Sequence, residues 1–186
     1  MEAGDGLTIN TARHVWVGHC KFSMFSDGHF DIRYGSSAVT VSNNHIGGSN
    51  AYVCGGQHNF VSLVSGSQAT FHDNYFDHVG GRNPKMTDSA TVYLDDNDYE
   101  SVSYFCTASN SSSQVLVEND YFYNSNYPHW VEGGALKATG NVYAGTTSAT
   151  HLDSSGSVFT PPYSYTLESA SALNTTVPSK AGPGKY

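Results

Sequence analysis

Five times along this chain a short β-branched or apolar run is closely followed by asparagine, one further residue and an apolar or aromatic side chain. Val39-Thr40-Val41 leads to Asn44-His45-Ile46, Ala69-Thr70-Phe71 to Asn74-Tyr75-Phe76, and Thr91-Val92-Tyr93 to Asn97-Asp98-Tyr99. Val115-Leu116-Val117 leads to Asn119-Asp120-Tyr121, and Leu136-Lys137-Ala138 to Asn141-Val142-Tyr143. Val15-Trp16-Val17 with Cys20-Lys21-Phe22 is a degenerate first copy. The closing residues stand 24, 30, 23, 22 and 22 positions apart. A period in the low twenties, built of strands and turns, predicts an all-β parallel solenoid, because one coil cannot bury its own apolar face and must stack on its neighbours. Asparagine recurring at one coil position suits an internal ladder in which each amide satisfies the next.

Further runs, Phe30-Asp31-Ile32-Arg33, Phe60-Val61-Ser62-Leu63-Val64 and Val102-Ser103-Tyr104-Phe105-Cys106, read as a second strand of each coil. The pattern stops near Thr160. Residues 1–159 are therefore expected to form the solenoid. Pro161-Pro162, Pro178 and Pro183 mark residues 160–186 as an extended tail laid along it, with one short helical turn over Ser169-Ala170-Ser171-Ala172-Leu173.

Only 13% of the residues are charged, against about a quarter in ordinary domains, which leaves little material for solvated helices. A formal charge of −8 argues against nucleic acid, whose phosphates demand a basic footprint. No apolar run approaches the ~20 residues of a membrane span. Met1 is followed by Glu2, Ala3, Gly4 and Asp5, so no secretory leader is expected within this sequence. Three cysteines leave at least one unpaired. Asn110-Ser111-Ser112 and Asn174-Thr175-Thr176 match the N-glycan acceptor pattern and are compatible with secretion.

Arg82-Asn83-Pro84-Lys85 concentrates two of the eight basic residues on a loop between coils. Carboxylates at Asp5, Asp27 and Asp31 could be brought side by side by coil stacking, the oxygen-rich setting that hard cations require. Asp95-Asp96-Asn97-Asp98 lacks the glycine and closing glutamate of a calcium-binding loop and reads as a turn around a ladder asparagine. Tyr52, Phe60 and Tyr104 are candidates for stacking on sugar rings. Nucleophile-elbow, phosphate-loop and zinc-peptidase motifs are all missing from the sequence.

Val15-Trp16-Val17-Gly18-His19-Cys20, Asp27-Gly28-His29-Phe30-Asp31-Ile32, Val39-Thr40-Val41-Ser42-Asn43-Asn44, Phe71-His72-Asp73-Asn74-Tyr75-Phe76 and Arg82-Asn83-Pro84 resemble, in order, the motifs of the pectate lyase and pectin lyase family. The resemblance runs from Asp5 to about Tyr143, and family chains are usually longer, with an amino-terminal cap and first coils not matched here. It implies a right-handed parallel β-helix, secreted and monomeric, that cleaves homogalacturonan by β-elimination. On that basis Arg82 is the catalytic residue, the presumed base that takes the carbon-5 proton. Lys85, Arg33 and Pro84 are expected to contact the polygalacturonate or pectin chain. Asp5, Asp27 and Asp31 fall on the positions of calcium ligands. An arginine base needs its proton affinity lowered by neighbouring cations and burial.

The departures from the family pattern are equally specific. Gly18 stands for the aspartate of the tryptophan motif, Thr87 for a second arginine, and no lysine lies between Lys21 and Lys85. These losses, with Gly81-Arg82-Asn83-Pro84-Lys85 and Cys54-Gly55-Gly56-Gln57-His58, resemble the pectin lyase branch, which acts on methyl-esterified substrate without calcium. Retention of Asp27 and Asp31 favours pectate lyase, with calcium as cofactor. A catalytically weak pectin-binding relative is a third reading.

Overall fold

The computed structural model describes residues 4–57, 60–146 and 156–185. Six successive coils of three strands each account for the β structure of these residues. The first coil holds β1 (Leu7–Asn10), β2 (Arg13–Gly18) and β3 (Lys21–Phe22), and the second β4 (Phe30–Arg33), β5 (Ser37–Ser42) and β6 (His45–Gly47). The third holds β7 (Leu63–Ser65), β8 (Gln68–His72) and β9 (Tyr75–Asp77), and the fourth β10 (Lys85–Thr87), β11 (Thr91–Asp95) and β12 (Asp98–Glu100). The fifth holds β13 (Phe105–Asn110), β14 (Gln114–Glu118) and β15 (Tyr121–Tyr123), and the sixth β16 (Tyr127–Glu132), β17 (Ala135–Thr139) and β18 (Val142–Ala144).

Each strand pairs in parallel with its counterpart one coil away, giving three six-stranded sheets: sheet A from the first strands, sheet B from the second and sheet C from the third. This is the expected parallel β-helix. Each repeat recognised in the sequence is a strand of sheet B, a corner and a strand of sheet C; the runs read as a second strand belong to sheet A.

The corner between sheets B and C is two residues long in every coil. Its first residue is left-handed: His19, Asn43, Asp73, Asp96 and Asn119 have φ of 52–56°, and Gly140 has 71°. Asn, Asp and Gly tolerate this region best, which explains the composition of the corner. From the second coil onward the second residue points inward and builds the ladder, whereas Cys20 in the first coil is exposed. The amide of Asn44 donates to Val17 O at 2.9 Å and to Asn74 Oδ1 at 3.0 Å. Asn74 repeats this toward Val41 O and Asn97 Oδ1, at 2.8 and 3.0 Å. The buried amides of these rungs are thereby satisfied by the coils before and after them.

In the fifth coil the reading slips by one residue. Asn119 takes the left-handed position and donates to Glu168 O, so the ladder rung is Asp120 and the closing residue is Phe122, not Tyr121. The register then runs Phe22, Ile46, Phe76, Tyr99, Phe122, Tyr143. Phe76, Tyr99 and Phe122 stack almost parallel, with centroids 4.6 and 4.7 Å apart, inside sheet C. Those rings share the core with Ile32, Val64 and Met86 from sheet A and Val41, Phe71 and Leu94 from sheet B.

The tail follows sheet B and then covers sheet C. Tyr163 bonds Thr70, Tyr165 bonds Glu118 at 2.7 Å, and Glu168 N donates to Asp96. The helical part is longer than one turn: a 3-10 turn at Ala170–Ala172 continues into α1 (Leu173–Lys180). Leu173 and Val177 bury against Tyr121, and that packing supplies what local propensity does not.

Asp120 receives the N–H and the side-chain amide of Asn97 on Oδ1, at 2.7 and 3.1 Å. Its Oδ2 is buried without a partner. Strand register puts Leu94 at the place of the carbonyls that the other rungs donate to, so a protonated Asp120 would complete the rung as an amide does. Burial first, and then Asp95 and Asp96, push its pKa well above the carboxylate range; Tyr99 and Cys106 share its surroundings. A raised folded-state pKa favours folding below the unfolded value, and this advantage is lost as pH climbs toward the folded value. Asp120→Asn is therefore expected to stabilise the fold. In urea titrations its gain over the parent should be smallest near pH 4 and widen by up to about 1.4 kcal/mol per pH unit above it. A gain that does not change with pH would show that Asp120 ionises freely in the folded chain.

Candidate active site

Sheet A presents polar residues on its outer face because Ile32, Val64 and Met86 alternate inward. One outward column runs Thr8, Asp31, Leu63, Lys85, Ala108, Trp130, and the next runs Asn10, Arg33, Ser65, Thr87, Asn110, Glu132. Asp31 and Lys85 thus share a column two strands apart, about 10 Å. Asp31 and Arg33, two apart on one strand, face the same way and pair.

Arg82 enters this face from the loop between β9 and β10. Its backbone is left-handed, with φ of 61°, and its carbonyl accepts the N–H of Ser62 at 2.8 Å. Asn83 is buried, takes the carbonyl of Cys106 with its N–H at 2.8 Å, and donates its side chain to Phe105 O at 3.0 Å. A Cβ at Gly81 would come within 3.2 Å of the Phe105 ring, so glycine lets the loop approach the next coil. The Arg82 guanidinium lies 4.2 Å above the centre of the Phe60 ring. Among the described residues it makes no ion pair. Asn83-Pro84 is a cis peptide and Pro84 is buried, which places it under the loop rather than on the surface expected of a substrate contact. Lys85, half-buried on β10, lies three residues on from Arg82.

Two of the three carboxylates converge on a guanidinium. Arg33 pairs with Asp31 and stands 4.0 Å from Asp5. Asp31 Oδ1 also accepts the N–H of Leu63 at 2.7 Å. Asp31 holds Arg33 firmly charged, while burial pushes the Asp31 pKa up against the pull of Leu63 N–H and Arg33. Asp5 sits against Gly28, and Asp27 is exposed beside it. Among the described residues no three His, Cys, Asp or Glu side chains are grouped to hold a metal ion. The set Asp5, Asp27 and Asp31 therefore does not fit calcium in this arrangement, because a guanidinium already serves as the local cation.

The acidic excess is concentrated elsewhere, at the corner of sheets B and C. Burial pushes Asp95 and Asp98 up to about 7 and Asp96 to about 6, so these groups carry only part of their formal charge near neutrality.

Aromatic residues extend the face beyond Arg82. Tyr104 and Trp130 are partly exposed with centroids 6.2 Å apart, and Tyr127 stands edge-on to Trp130 at 5.5 Å. Trp130 and Tyr127 were not singled out by the repeat pattern. The signal available was their place in Tyr127-Pro128-His129-Trp130, where the sheet A strand of the next coil was due. Tyr52, in contrast, is exposed in the loop after β6, and His58 lies outside the described residues.

A family model described as pectate lyase matches residues 2–186. A probable pectin lyase E of Aspergillus fumigatus is 31% identical over 156 residues, covering 78% of this chain and 40% of that protein. A probable pectin lyase D of Aspergillus niger is 28% identical over 200 residues, covering 97% and 54%. The chain thus spans about half the length of the curated relatives it matches. A pectate lyase from Bacillus sp. N165 in complex with trigalacturonate superposes with a TM-score of 0.82 at 26% identity, over 98% of this chain and 64% of that one. Pectate lyase C from Erwinia chrysanthemi, with calcium at pH 9.5, has a TM-score of 0.78 at 22% identity, over 99% and 61%, and shares the fold. With its coils, its Arg82 loop and this match along nearly its whole length, the chain belongs to the pectate lyase family.

Proposed function

We propose that this chain is a pectinolytic polysaccharide lyase that cleaves homogalacturonan by β-elimination, leaving 4,5-unsaturated oligogalacturonates. The carrying observation is Arg82: a guanidinium held by a locked left-handed turn at the outer face of sheet A, free of any carboxylate among the described residues. In this reaction the carbon-5 proton of a uronate leaves, electrons flow into the carbon-4 to carbon-5 bond, and the glycosidic oxygen on carbon 4 departs. Arg82 acts at carbon 5 as the base that receives this proton, and the departing oxygen takes a proton from water. Lys85 supplies a second positive charge for the uronates, and Trp130 with Tyr104 offers rings for sugar faces.

Pectate lyase is the first reading of substrate, supported by Asp5, Asp27 and Asp31 at the family's ligand positions; calcium could enter only if Arg33 released Asp31. Pectin lyase, acting on methyl-esterified chains without calcium, is favoured by a separate observation, the Arg33–Asp31 pair that already neutralises this end of the face. The curated relatives compared above are named as pectin lyases. The same proposal includes secretion, since the polymer lies outside cells, action as a monomer, and a division into a solenoid over 1–159 and a tail over 160–186.

Absorbance of the unsaturated product, followed on polygalacturonate and on highly methylated pectin with calcium or chelator, tests the reading. Product from neither polymer overturns it; activity on pectin that survives chelator selects the second substrate. Arg82→Lys is expected to lower turnover by about 100-fold or more while polymer binding persists. An unchanged rate removes Arg82 from the reaction. Arg33→Gln frees Asp5 and Asp31, so calcium affinity by isothermal titration should rise by about tenfold or more. Equal affinity in both proteins would mean that the Arg33 pair is not what keeps calcium out.

A further inference from the structure

Two N-glycan acceptor patterns are present, and the fold treats them in opposite ways. Asn110 closes β13 on the outer face of sheet A, is only 8% exposed, and donates its amide to Glu132 at 2.9 Å. Its register partner is the same Glu132, so a sugar on that nitrogen would break the hydrogen bond and lie over two paired strands on the face that carries Arg82. Asn174 is exposed in the first turn of α1, and its amide nitrogen donates no hydrogen bond among the described residues. It borders a depression of about 310 Å³ shared with Asp98, Glu100, Tyr121 and Tyr123. Tyr123 is half-exposed, and Asp98 contributes a carboxyl oxygen, Oδ1, that is buried without a partner. An aromatic side chain beside one unsatisfied carboxyl oxygen suits an amino sugar, apolar for its ring face and polar for its hydroxyls and acetamido group.

We propose that Asn174 is an N-glycan acceptor and Asn110 is not, and that the first N-acetylglucosamine seats in the depression over sheet C. The donor is a polyprenyl-diphosphate-linked oligosaccharide of a eukaryotic secretory pathway. The Asn174 Nδ2 forms a bond to the anomeric carbon and loses a proton, and the bond from that carbon to the diphosphate oxygen breaks. Because α1 covers sheet C, the glycan grows away from the outer face of sheet A and leaves that face open. The inference does not depend on the lyase reaction.

The full chain, secreted from yeast behind a cleavable leader, is digested and its glycopeptides are mapped by mass spectrometry after peptide N-glycosidase treatment in ¹⁸O water. One labelled site at Asn174 is expected. Label at Asn110, or folded secreted protein with Asn174 unmodified, overturns the proposal, and neither readout requires a variant. Asn174→Gln and Thr176→Val should both abolish the glycosidase-sensitive gel shift, whereas Asn110→Gln should keep it. For the seat, glycosylated protein should melt about 2–4 °C above its enzymatically deglycosylated form, and Tyr123→Ser should cancel the difference. Equal melting of the two parent forms removes the seat from the proposal.

Discussion

Everything in this molecule hangs on the two-residue corner between sheets B and C. A left-handed residue turns the chain and an inward amide bonds the coils before and after it. Because Asn44, Asn74 and Asn97 each take one acceptor from the preceding coil and one from the following coil, a coil that slips by one residue loses them together. Its inward rings would also swing to the outer face, since side chains alternate along each strand. Hydrogen bonding and apolar burial therefore select one register jointly, and the stack of Phe76, Tyr99 and Phe122 follows from the same constraint as the asparagines.

That coupling explains what could be read in advance. Sheets B and C repeat so strictly that their residues show the period directly. Sheet A does not, because its strands are reached through connections of differing length, and Leu63–Ser65 falls later in its run than Phe30–Arg33 does. The rung at Asp120 was misplaced because Asn119, one residue earlier, has the side chain of a rung but the backbone of a turn. Asparagine serves both corner positions, so residue type alone cannot separate them.

The outer face of sheet A shows a similar mixture. Arg82 and Lys85 stood out as a dense basic pair in a charge-poor chain, and the fold sets them at the outer face of sheet A. The grouping of Asp5, Asp27 and Asp31 did not follow from spacing, because position along a coil says nothing about which counter-charge reaches a carboxylate first. Asp31 and Arg33, two apart on a strand, share a face by simple alternation, and their attraction decides the matter. The net charge of −8 also changes meaning: part of it sits on buried acids at the corner of sheets B and C, where Asp95 and Asp98 are about half-neutral near pH 7.

The lengths of the connections carry a consequence for how such a protein can change. Every passage from sheet B to sheet C is two residues, whereas passages from C to A range from three to fifteen. Phe60 and Arg82 both lie on passages of the variable kind. Segments can therefore differ in length on this side without touching a single rung, so the surroundings of Arg82 are set by stretches of sequence other than the ladder. These passages are nevertheless tied into the core, since Val61, Val79 and Val102 are buried within it, so a change of length there must keep those anchors in place.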